Sequence, residues 1–266
     1  SLYLQYLLSY VVVLLIPLCI VGMMVYSQIV GIFREQALAA NEQMLEQVGE
    51  LVDTKFMEMS NIAADLSTNP LISFHDFRDT FYFFSMKDAM NYRLSNTFLD
   101  EVLLYDRERK YVYSSHGSYS LDIYHQIYPY SQRSAAEIDD TLDTLESPLL
   151  RKAEPVRNEN YITYLRPIPI YAFKPKGTAV FMIKEQTFQN ILKSALLYEG
   201  NEAFIIDHTG AMITGVFEQS ALPPSIMEEI ASKEEHSATL PVAEAAHPVL
   251  VSYVRSESTG FTYVVT

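Results

Sequence analysis

"VLLYDRERKYVYS", Val102 to Ser114, reads as a β-hairpin. An apolar run ends at Tyr105, a charged turn follows from Asp106 to Lys110, and then Tyr111 and Tyr113 alternate with Val112 and Ser114. That period of two belongs to a half-buried strand. The phrase returns at Ala203 to Gly215 as "AFIIDHTGAMITG", which lies over the first copy without a gap and sets Asp106 against Asp207 at the turn. Two more segments recur in the same order: "YLR" (Tyr164 to Arg166) over "YVR" (Tyr253 to Arg255), and "GTAVFMI" from Gly177 over "GFTYVVT" from Gly260. Hairpin, helix and two strands therefore occur twice. The expected fold class is α+β, with two tandem modules built on antiparallel sheets, the first over 69–199 and the shorter second over 200–266.

Between these landmarks, Asp79 to Thr97 reads as a helix with Phe81, Phe84 and Tyr92 on one side. "SAAEIDDTLDTLES" opens with a capping box, Ser134 to Glu137, and reads as a short surface helix whose Asp139, Asp140 and Asp143 lie on a solvated face. Strands are expected over Tyr161–Ile170 and Thr178–Lys184, and a helix over Gln186–Leu197.

Upstream of the first module, residues 28–68 are free of proline and read as a long stalk helix. Leu45, Val52, Met59 and Leu66 recur every seventh residue, with Val48 and Ile62 between them, and Lys55 interrupts the second position. The seam suits packing on the chain's own domain and a homodimer contact alike. Pro70 in "TNP" ends the helix, because the residue before proline is pushed out of the helical region.

Further upstream, no charge occurs before Arg34. Leu2 to Ser27 as a helix would reach about 39 Å at ~1.5 Å per residue, enough to cross a ~30 Å hydrocarbon core. A cleaved signal would need small residues directly after its apolar run, whereas Ala37 to Ala40 follow the charges Arg34 and Glu35. Tyr3, Tyr6, Tyr10 and Tyr26 cluster toward the two ends, as interfacial aromatics do. Residues 1–27 are read as a membrane-spanning helix. The chain starts at Ser1 and stops within "FTYVVT", so it is expected to be a fragment of a longer protein.

The 19 basic and 33 acidic residues give a net charge of −14, which repels phosphate backbones, so this portion is not expected to bind nucleic acid. Cys19 is the lone cysteine and falls in the anchor, leaving the rest with no thiol for a disulfide or a metal. The histidines are scattered, with no HExxH, no Gly-x-Ser-x-Gly elbow and no phosphate loop. "SSHGS" (Ser114 to Ser118) sets Ser beside His but reads as a turn at Gly117. No catalysis, metal or cofactor is expected.

A binding pocket suits the first module better. Tyrosines crowd its strands, and each offers an apolar face and a hydroxyl to a polar organic ligand. On "YITYLRPIPI", alternation puts Ile162, Tyr164 and Arg166 on one face, where an inward arginine would present a fork of donors to a carboxylate, phosphate or sugar hydroxyl. The candidate ligand residues are Tyr111, Tyr113, Tyr119, Tyr164, Arg166 and Tyr171. Arg255, in the shorter module, is read as structural.

Anchor, long helix and tandem modules together resemble a double Cache (dCache) extracellular sensor, two PAS-like modules stacked on an N-terminal helix. "LLSYVVVLLIPLCIVGMMVYSQ" resembles the first membrane helix of Gram-positive membrane-bound AraC-family transcriptional regulators, and "LLxYxxxLLIPL" is shared with related sensor histidine kinases. The resemblance implies a cell-membrane protein with residues after about 28 outside the cell, a second span past Thr266, and DNA as the partner of a missing cytoplasmic helix-turn-helix. A kinase, a chemoreceptor or a non-signalling anchored binding protein is the alternative. It implies a ligand in the membrane-distal module, Leu71 to Lys184: a sugar, an organic acid or similar, or a ligand-loaded binding protein. One branch binds amino acids through a Tyr, Arg-x-Trp-Tyr and Asp signature; here the region reads "YHQIYPYSQRSAAE" (Tyr124 to Glu137), which does not match.

Overall fold

A computed structural model describes residues 2–68, 98–170, 172–194, 196, 201–217, 222–233, 235–242 and 249–266. The helix expected over Asp79–Thr97 and the candidate Tyr171 lie outside these residues.

Helix α1 (Leu2–Thr68) is continuous from the apolar segment to the end of the stalk, about 100 Å at ~1.5 Å per residue. Its two halves live in different surroundings. Toward the N-terminus, large apolar side chains such as Leu14, Leu18, Ile20, Met23 and Tyr26 are exposed, and no described side chain in the most apolar 18-residue window is buried. This one helix is long and apolar enough to cross a membrane, with a mean hydropathy of 2.0 over that window. Toward the C-terminus, Leu45, Val48, Val52, Met59, Ile62 and Leu66 are all buried, together with Phe56, in a core shared with both sheets. The seven-residue seam is thus buried within the chain itself. Lys55 sits at the margin and pairs with Glu58 at 3.0 Å.

The first sheet contains β1 (Glu101–Asp106), β2 (Tyr111–Ser114), β3 (Ser118–Ser120), β4 (Leu149–Val156), β5 (Glu159–Ile168) and β6 (Gly177–Lys184), in the order β3-β2-β1-β6-β5-β4. The second contains β7 (Ala203–Ile206), β8 (Met212–Val216), β9 (Ser237–Val242), β10 (Val249–Arg255) and β11 (Thr262–Val265), in the order β8-β7-β11-β10-β9. Without β3 the two orders match strand for strand, and every pairing is antiparallel. Helices α2 (Leu121–Ile127) and α3 (Ala135–Thr144) cover the face of the first sheet that points away from α1, and α5 (Pro224–Ser232) does the same for the second. Between the sheets, α4 (Glu185–Ser194) contributes Phe188 to the shared core.

The hairpins repeat down to their turns. Asp106 Oδ1 accepts from the amides of Glu108 and Arg109 at 2.9 and 3.1 Å, and Asp207 Oδ1 from those of Thr209 and Ala211 at 2.8 and 3.0 Å. In the second turn Gly210 has φ +84°, and a Cβ there would meet the backbone of Glu228 at 2.9 Å.

The later strands depart from the letter-by-letter repeat. Facing α1, Val102 pairs with Phe181, which pairs with Tyr164; the next row is Leu104, Ala179 and Arg166. The corresponding rows of the second sheet are Ala203, Val265 and Ser252, then Ile205, Tyr263 and Val254. Tyr164 therefore corresponds in space to Ser252, and Arg166 to Val254. "YVR" is displaced by one residue from "YLR", and a one-residue slip turns every side chain to the other face. Tyr253 accordingly packs under α5.

Phe56 and Gly49 are among the points where the modules pack on α1. Phe56 touches Tyr164, Phe188 and Phe261, with ring centroids 5.1, 6.4 and 5.3 Å away. Gly49 lets the ring of Tyr263 lie against the helix, where a Cβ would stand 3.2 Å from it.

The capping box of α3 forms as expected, with Ser134 and Glu137 satisfying each other's backbone amides. The acidic face behind it is not simply solvated. Asp139 Oδ1 lies 2.8 Å from His125 Nε2, and Asp143 accepts from the Tyr105 hydroxyl at 2.7 Å and from Lys110. These carboxylates tie α3 to α2 and to the first hairpin.

Candidate functional site

Edge strand β4 organises the site. Pro155, which cannot donate to a ladder, is tolerated there because β4 is the last strand of its sheet. A bulge between Arg151 and Glu154 sets Arg151 opposite Thr163 and Glu154 opposite Tyr161, so residues three apart point to the same face. Both are buried, at 6% and 2% exposure. Arg133, from the loop before α3, donates Nε to Glu154 Oε2 at 2.9 Å, while Glu154 Oε1 is buried without a partner. Arg151 donates Nη2 to Thr141 Oγ1 at 2.7 Å. The hydroxyls of Tyr124 and Tyr130 meet at 3.2 Å nearby, both phenols held above their ordinary pKa by burial. Burial, then the charge of Arg133, lowers the pKa of Arg151: two guanidiniums share a pocket with one carboxylate between them.

A cleft of about 930 Å³ opens along this edge. One wall is the first module, with Arg133, Arg151, Lys152, Tyr164 and Arg166; the other is formed by α1 (Asp53, Phe56, Ser60) and by the second module around Asp207 and Thr259. Arg166 reaches it because β4 begins at Leu149, opposite Leu165, so Arg166 projects past the start of the edge strand. Its Nε is buried without a hydrogen-bond partner. The carboxylates across the cleft are engaged. Asp53 accepts from Ser256 and Thr259 hydroxyls at 2.7 to 3.1 Å, and Asp207 Oδ1 serves its turn. Cationic donors with spare capacity thus face Asp53, engaged through both oxygens, and Asp207, engaged through Oδ1.

Of the candidates named from sequence, Tyr164 and Arg166 come together in this cleft. Tyr111 and Tyr113 share their sheet face, with rings 5.9 Å apart, but stand on β2, three strands from Arg166 across the sheet. Tyr119 pairs with Val112, whose side chain lies on the opposite face, and its ring folds over Gly117. The five described candidates are therefore not gathered in one pocket. Arg133, Arg151, Glu154 and Lys152 were missed. The mark that could have revealed them is the pair of leucines, Leu149 and Leu150, leading into a proline-bearing segment, the pattern of an edge strand.

In "SSHGS", His116 Nδ1 lies 3.0 Å from Ser115 Oγ and 3.1 Å from Glu101 Oε1. Both contacts use the same nitrogen, whereas a nucleophile–base–carboxylate relay needs one on each. Arg255 donates Nη2 to the carbonyls of Ile230 and Ala231, at 3.1 and 2.6 Å, and so caps the end of α5.

No protein-family model matches the sequence, and no curated protein matches it. Solved structures do share its shape. The ligand-binding domain of the Pseudomonas fluorescens chemoreceptor CtaA, in complex with L-isoleucine, matches with a TM-score of 0.54 at 12% identity, over 88% of this chain and 93% of that one. The extracellular domain of the histidine kinase vpHK1S-Z8 matches with a TM-score of 0.58 at 11% identity, over 87% and 94%. An extracellular ligand binding receptor from Desulfohalobium retbaense matches with a TM-score of 0.53 at 16% identity; 84% of this chain is covered, but only 39% of that longer one. The chain shares its fold with these domains: in this chain, two modules with antiparallel sheets are set on one long helix.

Proposed function

We propose that this chain is the ligand-sensing region of a membrane-anchored signalling protein, with both modules outside the cell, and that its cleft takes a small anionic or polar organic ligand. One observation carries the reading. Arg133, Arg151 and Arg166 line a single cleft in a chain of net charge −14, and the Arg166 Nε is buried without a partner. A buried donor left unsatisfied is costly, and a carboxylate or phosphate would satisfy it with a charge-assisted bond. The sensor fold and the exposed apolar end of α1 support the placement. In this proposal the domain binds without catalysis or cofactor. Occupancy acts on α1, which forms part of the cleft and continues into the apolar segment, and a ligand moves that helix only by favouring one of its two positions. The output is a cytoplasmic AraC-type DNA-binding domain, with a histidine kinase or a chemoreceptor signalling region as the second reading.

The test uses the full chain in lipid nanodiscs. Organic acids, sugar acids, sugar phosphates and amino acids are screened by thermal shift, and hits are titrated against wild type and Arg166→Ala. Losing a hydrogen bond to a charged group weakens affinity by about tenfold to a hundredfold. Equal affinity of the two proteins for every hit would sink the assignment.

A further inference from the structure

Along β4 the outer edge changes character. At its C-terminal end it is covered: Tyr130 bridges Val156, the Ser131 amide donates to Pro155 O at 3.1 Å, and the Arg157 amide donates to Pro129 O at 3.1 Å. From Leu149 to Lys152 no described strand extends the ladder, and β8 of the second sheet lies close to β4. Among the described residues, no backbone hydrogen bond reaches these four beyond the ladder with β5. They line the cleft, and Leu149 is 37% exposed. Residues 211–213, which lead into and begin β8, the edge strand of the second sheet, also line it.

An open strand edge is a template for another strand and is ordinarily blunted or covered. Here it lies inside a concave site whose charge selects what can add to it. Lys152 and Arg151 belong to the Leu149–Lys152 segment, Arg166 lies past its start on the α1 side, and Arg133 lies on the α3 side. A strand laid along β4 would project alternate side chains to these two sides. We propose that the cleft binds a short extended acidic peptide, which pairs its main chain with Leu149–Lys152 and places its carboxylates on Arg166 and on the Arg133–Arg151 pair. Four residues of strand span about 13 Å at ~3.3 Å each, which suits a tetrapeptide. This deepens the anion-binding proposal and rests on it.

The probe is a mixed tetrapeptide library of Ala, Val, Asp and Glu with free C-termini, offered to the full chain in nanodiscs and read by native mass spectrometry. Acidic members should be retained, and Arg166→Ala and Lys152→Ala should each weaken them. Backbone N-methylation separates strand addition from simple anion binding. In an added strand, alternate amides point at β4, so methylating that set should cost about tenfold or more while methylating the other set costs little. Retention of no library member, or equal binding of both methylated sets and the parent, overturns the proposal. If organic acids bind through Arg166 while peptides do not, the anion reading stands and the peptide falls. If neither binds, both fall.

Discussion

In the first module no described strand pairs with the outer side of the edge strand, Arg166 keeps a buried donor unused, and tyrosines crowd both faces of the sheet. In the second, the same strand order carries "YVR" one residue out of step, and its arginine is locked onto the end of a helix. The difference teaches that one scaffold can hold a site or a strut depending on a single step of register. In the first module that step turns Arg166 toward α1 and the cleft; in the second it turns Arg255 toward α5.

The contrast should break most visibly in alkali. Burial raises the phenols of Tyr105, Tyr113, Tyr124, Tyr128, Tyr130 and Tyr161 in the first module, Tyr113 to about 12, against Tyr253 and Tyr263 in the second. Below a pH of about 10 folded and unfolded phenols are both protonated, and their contribution to stability is complete. Above it the unfolded chain ionises first, so stability falls as pH climbs toward the folded values. The first module, with more such phenols, should unfold at the lower pH. The chain has no tryptophan, so Tyr111→Trp and Phe217→Trp give one fluorescent reporter per module at partly exposed positions. A second-module reporter that moves first would show that the tyrosine load does not set alkaline stability.

Phe56 should come next in size. It is 6% exposed and touches both modules and α4. Phe56→Ala should cost about 3–5 kcal/mol in urea denaturation. With the same reporters, one shared transition should separate into two. A loss of that size with the two reporters still coincident would mean that the modules are coupled through other contacts.

Much of this architecture was legible because hairpins, caps and heptads are local patterns. The Asp106 and Asp207 turns, the capping box at Ser134 and the shared face of Ile162, Tyr164 and Arg166 all follow from spacings of a few residues. Strand β4 was not legible: Arg151, Lys152, Glu154 and Pro155 hide a strand behind the composition of a loop, and only its place at the sheet edge makes that composition acceptable. The site went with it, since the bulge that turns Arg151 and Glu154 to one face exists only once β4 pairs with β5. Matching "YLR" to "YVR" failed for a related reason. Identical letters specify residue types, whereas faces are set by pairing partners far away in sequence. Tyr119 was grouped with Tyr113 on the same basis and lies on the other face.

The smallest effect compares the two arginines directly, with no ligand present. Arg255 holds two carbonyls at the C-terminal end of α5, where a cation also meets the negative end of the helix dipole. Arg255→Ala should lower the stability of the second module by about 1–3 kcal/mol, the range for hydrogen bonds to a charged group in which one partner is removed and the other left behind. Arg166→Ala removes a side chain whose Nε has no partner, so in the absence of ligand it should change stability by no more than about 0.5 kcal/mol. Relief of that unsatisfied donor could even leave the variant slightly more stable. Ligand should reverse the ranking: a saturating anionic hit should raise the melting temperature of wild type and Arg255→Ala alike, and leave Arg166→Ala nearly where it was. The informative failure is Arg166→Ala losing as much stability as Arg255→Ala without ligand. That result would make both arginines struts, and the face-flip between the modules would then have no functional consequence.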